Sequence, residues 1–208
     1  VLLVGDGAEK FADEMKGNPL IERVPNSYFD TEARRRDWLK TLEREKSRQQ
    51  EKAKQQQKPA ELPGPDADKG PAADKGTVGC VALDTHGNLA AGTSTGGVTN
   101  KKWGRVGDSP IIGAGTYAGN ATCAVSCTGT GEYFIKHSAA FHVSALMAYK
   151  GLSLDDAVRQ IIEQVLPTDT GGMIAVDRLG RISMRQNTPG MARAAADSSG
   201  RLEIELGK

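Results

Sequence analysis

The sequence has 208 residues, with 27 Lys and Arg against 26 Asp and Glu. This length suits one domain of ordinary size with a tail, and the balanced charge argues against a dedicated nucleic-acid binder, whose binding face carries a basic excess. Hydrophobic residues make up only 38%, no apolar run is long enough to span a membrane, and the opening residues lack a basic-then-apolar leader pattern.

Val1 to Val4 is a short apolar run stopped by "GDG", which reads as a buried strand and its turn. "AEKFADEM" then reads as a short helix, with Phe11 and Met15 four residues apart. Thr31 to Lys58 holds strong helix formers, with Asp30 or Thr31 as cap and Trp38, Leu39 and Leu42 as its apolar anchors. From Glu43 to Lys58 no large hydrophobic residue occurs, so that part reads as a solvated helix or as disorder. The Pro-, Gly- and Asp-rich run that follows continues as a linker ending at Gly76. The chain does not begin with Met, and its opening reads as the interior of a longer or processed protein.

After Gly76 the character changes. "TVGCVALD" and "LAAGTSTGG" are two strands joined by the turn "THGN", which places His86 in an exposed turn. "SPIIGAGTYAG" is an apolar loop or strand, and "ATCAVSCTGTG" is a strand. "GEYFIKHSAAFHVSALMAYKG" reads as one helix stopped by Gly151, with His137 and His142 structural. "SLDDAVRQIIEQVL" is a second helix capped by Ser153, "GGMIAVDRLGRISMRQN" is a hairpin, and "RLEIELGK" is a short closing strand. Strands, then two helices, then strands describe an α+β fold with helices on an antiparallel sheet. Cys80, Cys123 and Cys127 match no metal knuckle and read as buried thiols of a reducing, cytoplasmic compartment.

The junction Gly76–Thr77 carries the chemistry. An internal Thr needs a side-chain base, and none of the three His residues stands in a credible context for one. A Thr at a chain start brings its own base, an α-amine of pKa about 7.7–8.0. Cleavage before Thr77 would create one, and Gly76 leaves the backbone open to an N-to-O acyl shift. "TSTGG" (Thr93 to Gly97) and "SCTGTGE" (Ser126 to Glu132) are hydroxyl- and glycine-rich strand ends, able to offer donors to an oxyanion or to serve as plain polar turns. Arg105 and Asp108 lie in one short loop. An Arg grips a carboxylate and an Asp accepts an ammonium, so the pair complements an amino-acid head group; it also fits an ordinary local salt bridge.

The run "GTVGCVALDTHGNLAAGTSTGGVTNKKWGRVGDSPIIGAGTYA", with "SCTGTGE", "YKGLSLDDAV" and "NTPGM", resembles the plant-type L-asparaginases or isoaspartyl peptidases, which are N-terminal nucleophile hydrolases. The likeness covers Thr77 to about Ala194, and Val1 to Met15 is similar to the end of the family's α-subunit core. It implies a four-layer αββα sandwich, a precursor that cuts itself into α and β chains, and a dimer of αβ units, (αβ)2. Residues 1–42 then correspond to the C-terminal part of the α-subunit, 43–76 to a flexible charged linker, and 77–208 to the β-subunit. The "HGGAG"-type strand that opens the family is absent, so a preceding part of the α-subunit is expected.

The resemblance implies hydrolysis of L-asparagine and β-aspartyl dipeptides, with no cofactor for catalysis and no nucleic-acid or membrane partner. It assigns Thr77 as nucleophile and Thr95 as the hydroxyl that tunes it. Arg105 would bind the substrate carboxylate and Asp108 its α-amine. Thr128 and the Gly129 N–H would form the oxyanion hole, and Gly131 would touch substrate through its backbone. A structural Na or K ion is implied in the missing part of the α-subunit. Two other readings stand beside this one. A glycosylasparaginase would tend to show "TSTNG" where this chain has "TSTGG". A non-catalytic product would bind a partner through Glu43–Lys58.

Overall fold

The computed structural model describes residues 2–55 and 76–207. The linker expected over 43–76 therefore lies outside the described residues from 56 to 75. The chain divides into two units, Val1–Asp74 with Val98–Arg105, and Lys75–Gly97 with Val106–Lys208.

In the first unit, helix α1 spans Gly5–Glu14 and helix α2 spans Glu32–Gln55, with a 3-10 turn at Asn26–Phe29. Neither Pro nor Gly interrupts the 24 residues of α2, and their strong helix formers carry it through the part that reads as solvated helix or disorder. No described side chain of this unit is buried. Trp38 and Leu39, expected as anchors, are 43% and 46% exposed. Polar contacts tie its segments: Arg23 meets Glu9 at 2.5 Å and Asp13 at 3.6 Å. Glu45 accepts from Asn100 Nδ2 at 2.9 Å and Lys102 Nζ at 3.0 Å, which holds its carboxyl below the usual range. The buried strand expected at Val1–Val4 is not formed over its described residues, 2–4. Leu2 to Val4 are exposed and non-strand, and "GDG" opens α1 instead of closing a strand. A short apolar run becomes a strand only when a neighbour supplies its ladder, and no described strand pairs with it.

The second unit is mixed, with all its strand pairs antiparallel. Strands β1 (Val78–Leu83) and β2 (Leu89–Ser94) form a hairpin in the register Val78↔Ser94 to Leu83↔Leu89. The Asp84 carboxylate closes its turn by accepting the His86 and Asn88 N–H groups at 2.8 Å each, which leaves His86 outside. Strands β3 (Thr116–Ala118), β4 (Cys123–Gly129), β5 (Gly171–Asp177) and β6 (Ile182–Gln186) make a four-stranded sheet in that order. Strands β7 (Ala192–Ala196) and β8 (Leu202–Leu206) form a separate hairpin; β8 is the expected closing strand, whereas β7 has no apolar alternation to announce it.

Side chains alternate across a strand, and β4 shows both of its faces. Cys123, Val125 and Cys127 point into a core shared with Phe134, Val143, Val158, Ile161 and Met173. Ala124 points the other way and packs with Val176, Leu89, Val81, Leu83, Ala91 and Ile182. The sheet therefore carries helices on one face and the β1–β2 hairpin on the other.

The expected single helix after β4 is two: α3 (Gly131–His137) and α4 (Ala139–Lys150), broken at Ser138, which is left-handed at φ 46°. The break lets the opening N–H groups of α4 find partners that a continuous helix would deny them. Ala140 and Phe141 donate to the carbonyls of Ala114 and Gly113 at 3.1 and 2.9 Å. Gly151 ends α4 at φ 67°. Helix α5 (Leu154–Gln160) has the expected Ser153 cap, whose Oγ accepts the Asp156 N–H at 3.2 Å, and it continues as a π-helical turn over Ile161–Val165. Cys123 and Cys127 are buried, and burial pushes the Cys123 thiol up to about 11 and Cys127 well above its ordinary value. Cys80 departs from the expected burial: it is exposed, because its place in β1 alternates with the inward Val81.

Asp155 ties α5 to β6, accepting from Arg185 Nε and Nη2 at 2.9 and 2.5 Å and from Ser183 Oγ at 2.8 Å. The Arg185 bonds are the main reason its carboxyl is lowered to about 2. A folded-state value below the unfolded one gives stability that is complete above about pH 4 and lost as pH falls through 2. Because the pair is partly exposed, Asp155→Asn is expected to cost about 0.5–1 kcal/mol at neutral pH. Urea titrations at several pH values would show the wild type losing this increment below pH 4 and the variant lacking it.

Candidate active site

The apolar contact between the hairpin and the sheet runs out at one end, and hydroxyls take over. In β1, Gly79 shares a face with Val81 and Leu83; in β2, Thr93 shares a face with Leu89 and Ala91; in β4, Ser126 and Thr128 share a face with Ala124. Those apolar neighbours pack in the interface between hairpin and sheet, so the alternation turns Thr93, Ser126 and Thr128 into that interface. Thr93 and Ser126 meet there, oxygen to oxygen, at 2.6 Å.

Thr77 stands just ahead of β1 and is half-buried, while Gly76 is exposed. Its Oγ1 donates to Thr95 Oγ1 at 3.3 Å. Thr95 lies one residue beyond β2 and also accepts the Gly97 N–H at 3.1 Å, which fixes the direction of its lone pairs. The two hydroxyls are thus paired across the open end of the hairpin, as an extension of the β1–β2 register.

Thr128 and Gly129 end β4, opposite Gly172 and Gly171 of β5. Gly129 has φ +152°, beyond what L side chains usually adopt. Thr130 N–H then donates to the Thr170 carbonyl at 2.9 Å, and Gly131 begins α3. Asp108 is 5% exposed and lies against that glycine: a Cβ at Gly131 would stand 2.7 Å from Asp108 Oδ1 and 2.8 Å from its backbone N. Asp108 is also close enough to Cys127 to add its charge to the burial that raises that thiol, so Cys127 is a neutral sulfhydryl and no nucleophile.

The structure therefore brings together Thr77 with Thr95, and Asp108 with Gly131, all in the second unit, which also holds Thr128 and Gly129. Arg105 belongs to the first unit, where it is half-buried and its backbone N–H donates to the Lys102 carbonyl at 3.0 Å. Thr93 and Ser126 escape sequence reasoning as individual residues. Their signal is present in retrospect: hydroxyls at inward positions of two strands whose other inward residues are apolar.

Gly79 is what allows the hairpin to lie so close. A Cβ built there would fall on Ser126 Oγ and stand 3.0 Å from Ser126 Cβ. Gly79→Ala is expected to destabilise by about 1–3 kcal/mol through overpacking, and adding Ser126→Ala should recover part of that loss. Chemical denaturation of the single and double variants would measure both.

The asparaginase family model matches residues 1–205. The isoaspartyl peptidase of Escherichia coli is 45% identical over 93% of this chain and 56% of its own length. The isoaspartyl peptidase/L-asparaginase of Mus musculus is 39% identical over 98% of this chain and 56% of its own length. The plant-type L-asparaginase of Pyrococcus furiosus is 40% identical over 93% of this chain and 59% of its own length. The chain spans a little over half the length of these relatives, and a family match over residues 1–205 shows that it belongs to the asparaginase family.

Proposed function

We propose that the protein is a self-processing amidohydrolase acting on L-asparagine and on β-aspartyl dipeptides. The observation that carries this is the Thr77–Thr95 hydroxyl pair, at 3.3 Å, at the start of a strand that follows Gly76 directly. The names of the relatives from Escherichia coli and Mus musculus support the substrate class.

The proposed sequence begins with the uncut chain. Thr77 Oγ attacks the Gly76 carbonyl carbon, the Gly76–Thr77 C–N bond breaks as the hydroxyl proton passes to the Thr77 nitrogen, and water hydrolyses the resulting ester to release the Gly76 carboxylate. This leaves Thr77 with a free α-amine of pKa about 7.7–8.0, matched to proton transfer near neutrality. In turnover, that amine takes the hydroxyl proton while Thr77 Oγ attacks the substrate's side-chain amide carbon. Thr95 orients the hydroxyl. The Thr128 hydroxyl and Gly129 N–H stabilise the oxyanion, Arg105 holds the α-carboxylate, Asp108 accepts the α-ammonium, and Gly131 touches substrate through its backbone. Ammonia, or the amino acid joined through the β-amide of a dipeptide, departs with the returned proton. Water then cleaves the β-aspartyl ester and frees aspartate.

The αββα sandwich and the dimer of αβ units are part of the same proposal, as is a cytoplasmic setting. Among the described residues, no helix is long and apolar enough to cross a membrane. The alkali ion implied by the family resemblance is assigned to no residue of this chain. No step is derived from it.

Intact-mass measurement on the full-length protein tests the first step. Two fragments divided between Gly76 and Thr77 are expected, and Thr77→Ala should remain one chain. A wild type that stays whole after long incubation would overturn self-processing. Ammonia release from asparagine and amine release from β-Asp-Leu test turnover, and Thr128→Ala is expected to lower kcat by about 10²–10³ through loss of one oxyanion donor.

A further inference from the structure

The loop that carries Asp108 is held mainly by backbone bonds. The Asp108 carbonyl accepts the Ile111 and Gly115 N–H groups at 2.9 and 3.2 Å. The carbonyls of Gly113 and Ala114 accept from the start of α4, and the Gly115 carbonyl accepts the Cys127 N–H of β4 at 2.9 Å. These bonds tie the loop to the four-stranded sheet and its helices. One further bond reaches it from the other layer: Thr93 Oγ1, in β2, donates to the Gly115 carbonyl at 3.1 Å. Thr93 lies two residues before Thr95, which accepts from Thr77.

The direction of this link can be worked out. A hydroxyl has one proton. With the Thr93 proton on Gly115, the 2.6 Å bond between Thr93 and Ser126 is donated by Ser126. The chain therefore runs from Ser126 to Thr93 to the Gly115 carbonyl, each bond polarising the next. Ser126 is 3% exposed, so no bulk water competes for its partner. Gly115 in turn leaves the space beside its Cα to Asp108: a Cβ there would stand 2.5 Å from the Asp108 carbonyl oxygen and 2.7 Å from Oδ2. The Gly115 N–H donates to the Asp108 carbonyl, so the two residues are held side by side.

We propose that Thr93 is a positioning residue: its hydroxyl, oriented by Ser126, locks the Asp108 loop to the strand leading into Thr95, and so sets the spacing between Thr77 and the carboxylate that receives an α-ammonium. This rests on the hydrolase reading above, in which Asp108 takes that group. It concerns selectivity for substrates with a free α-amine and not the self-cleavage step, in which Thr77 attacks the chain's own preceding bond.

The test compares the full-length wild type, Thr93→Val and Thr93→Ser on L-asparagine and on succinamate, which lacks the α-amine. Thr93→Val keeps the side-chain shape and removes the hydroxyl. It is expected to raise KM for asparagine by about 3- to 10-fold, the size of one lost hydrogen bond, with kcat within about 2-fold. The preference for asparagine over succinamate should fall by the same factor, cleavage at Gly76–Thr77 should proceed at the wild-type rate, and Thr93→Ser should restore the preference. An unchanged preference in Thr93→Val, with or without a lower Tm, would overturn the proposal and leave Thr93 a structural residue. If Thr93→Val does not fold, Ser126→Ala replaces it, with a smaller loss of preference expected and an unchanged preference again overturning it. A wild type that cuts itself but turns over neither substrate would overturn the hydrolase reading, and this inference with it.

Discussion

The close approach of the β1–β2 hairpin to the four-stranded sheet is the constraint on which the rest depends. Below the hydroxyl end, the approach is set by Val81, Leu83, Leu89 and Ala91 against Ala124 and Val176. Removing that apolar surface from water supplies a non-directional force, but it does not choose a distance. Gly79 does, by leaving the space that Ser126 Oγ occupies. Once the layers are this near, the 2.6 Å Thr93–Ser126 bond can form. The Thr77–Thr95 pair then lies at the end of a rigid, fully registered ladder instead of on a free chain end.

Polar and apolar parts of this interface are consequences of one alternation. The same face of β1 that buries Val81 and Leu83 presents Gly79, and the same face of β2 that buries Leu89 and Ala91 presents Thr93. The opposite face of β4 sends Cys123, Val125 and Cys127 into the helix-covered core. A slip of one residue in the β1–β2 register would exchange these sets, bringing Cys80 and Ala82 inward. The placement of the candidate chemistry and the stability of the unit are therefore set by the same pairing.

How much of this was legible in the sequence follows from the range of the forces involved. The β1–β2 hairpin was readable because the turn around Asp84 and the apolar alternation are local signals, and the Ser153 cap was readable for the same reason. The motif strings carried the family and its candidate residues. The break at Ser138 was hidden because its cause is the carbonyls of Gly113 and Ala114, more than twenty residues away. The expected strand at Val1–Val4 failed because apolar composition says nothing about whether a pairing partner exists. The roles of Gly79, Gly115 and Ser126 were out of reach for a similar reason, since each is defined by an atom of another strand or loop.

The split in cysteine environments has a practical consequence. Cys123 and Cys127 are shielded, and their raised thiols leave almost no thiolate, whereas Cys80 faces outward from the strand that follows Thr77. A thiol reagent added to the folded chain should modify one sulfur and, after unfolding, three. This chain thus offers one exposed sulfur, on the face of β1 opposite the hydroxyl cluster, as an attachment point for a fluorophore or spin label, and the ratio of fast to total labelling counts its folded fraction.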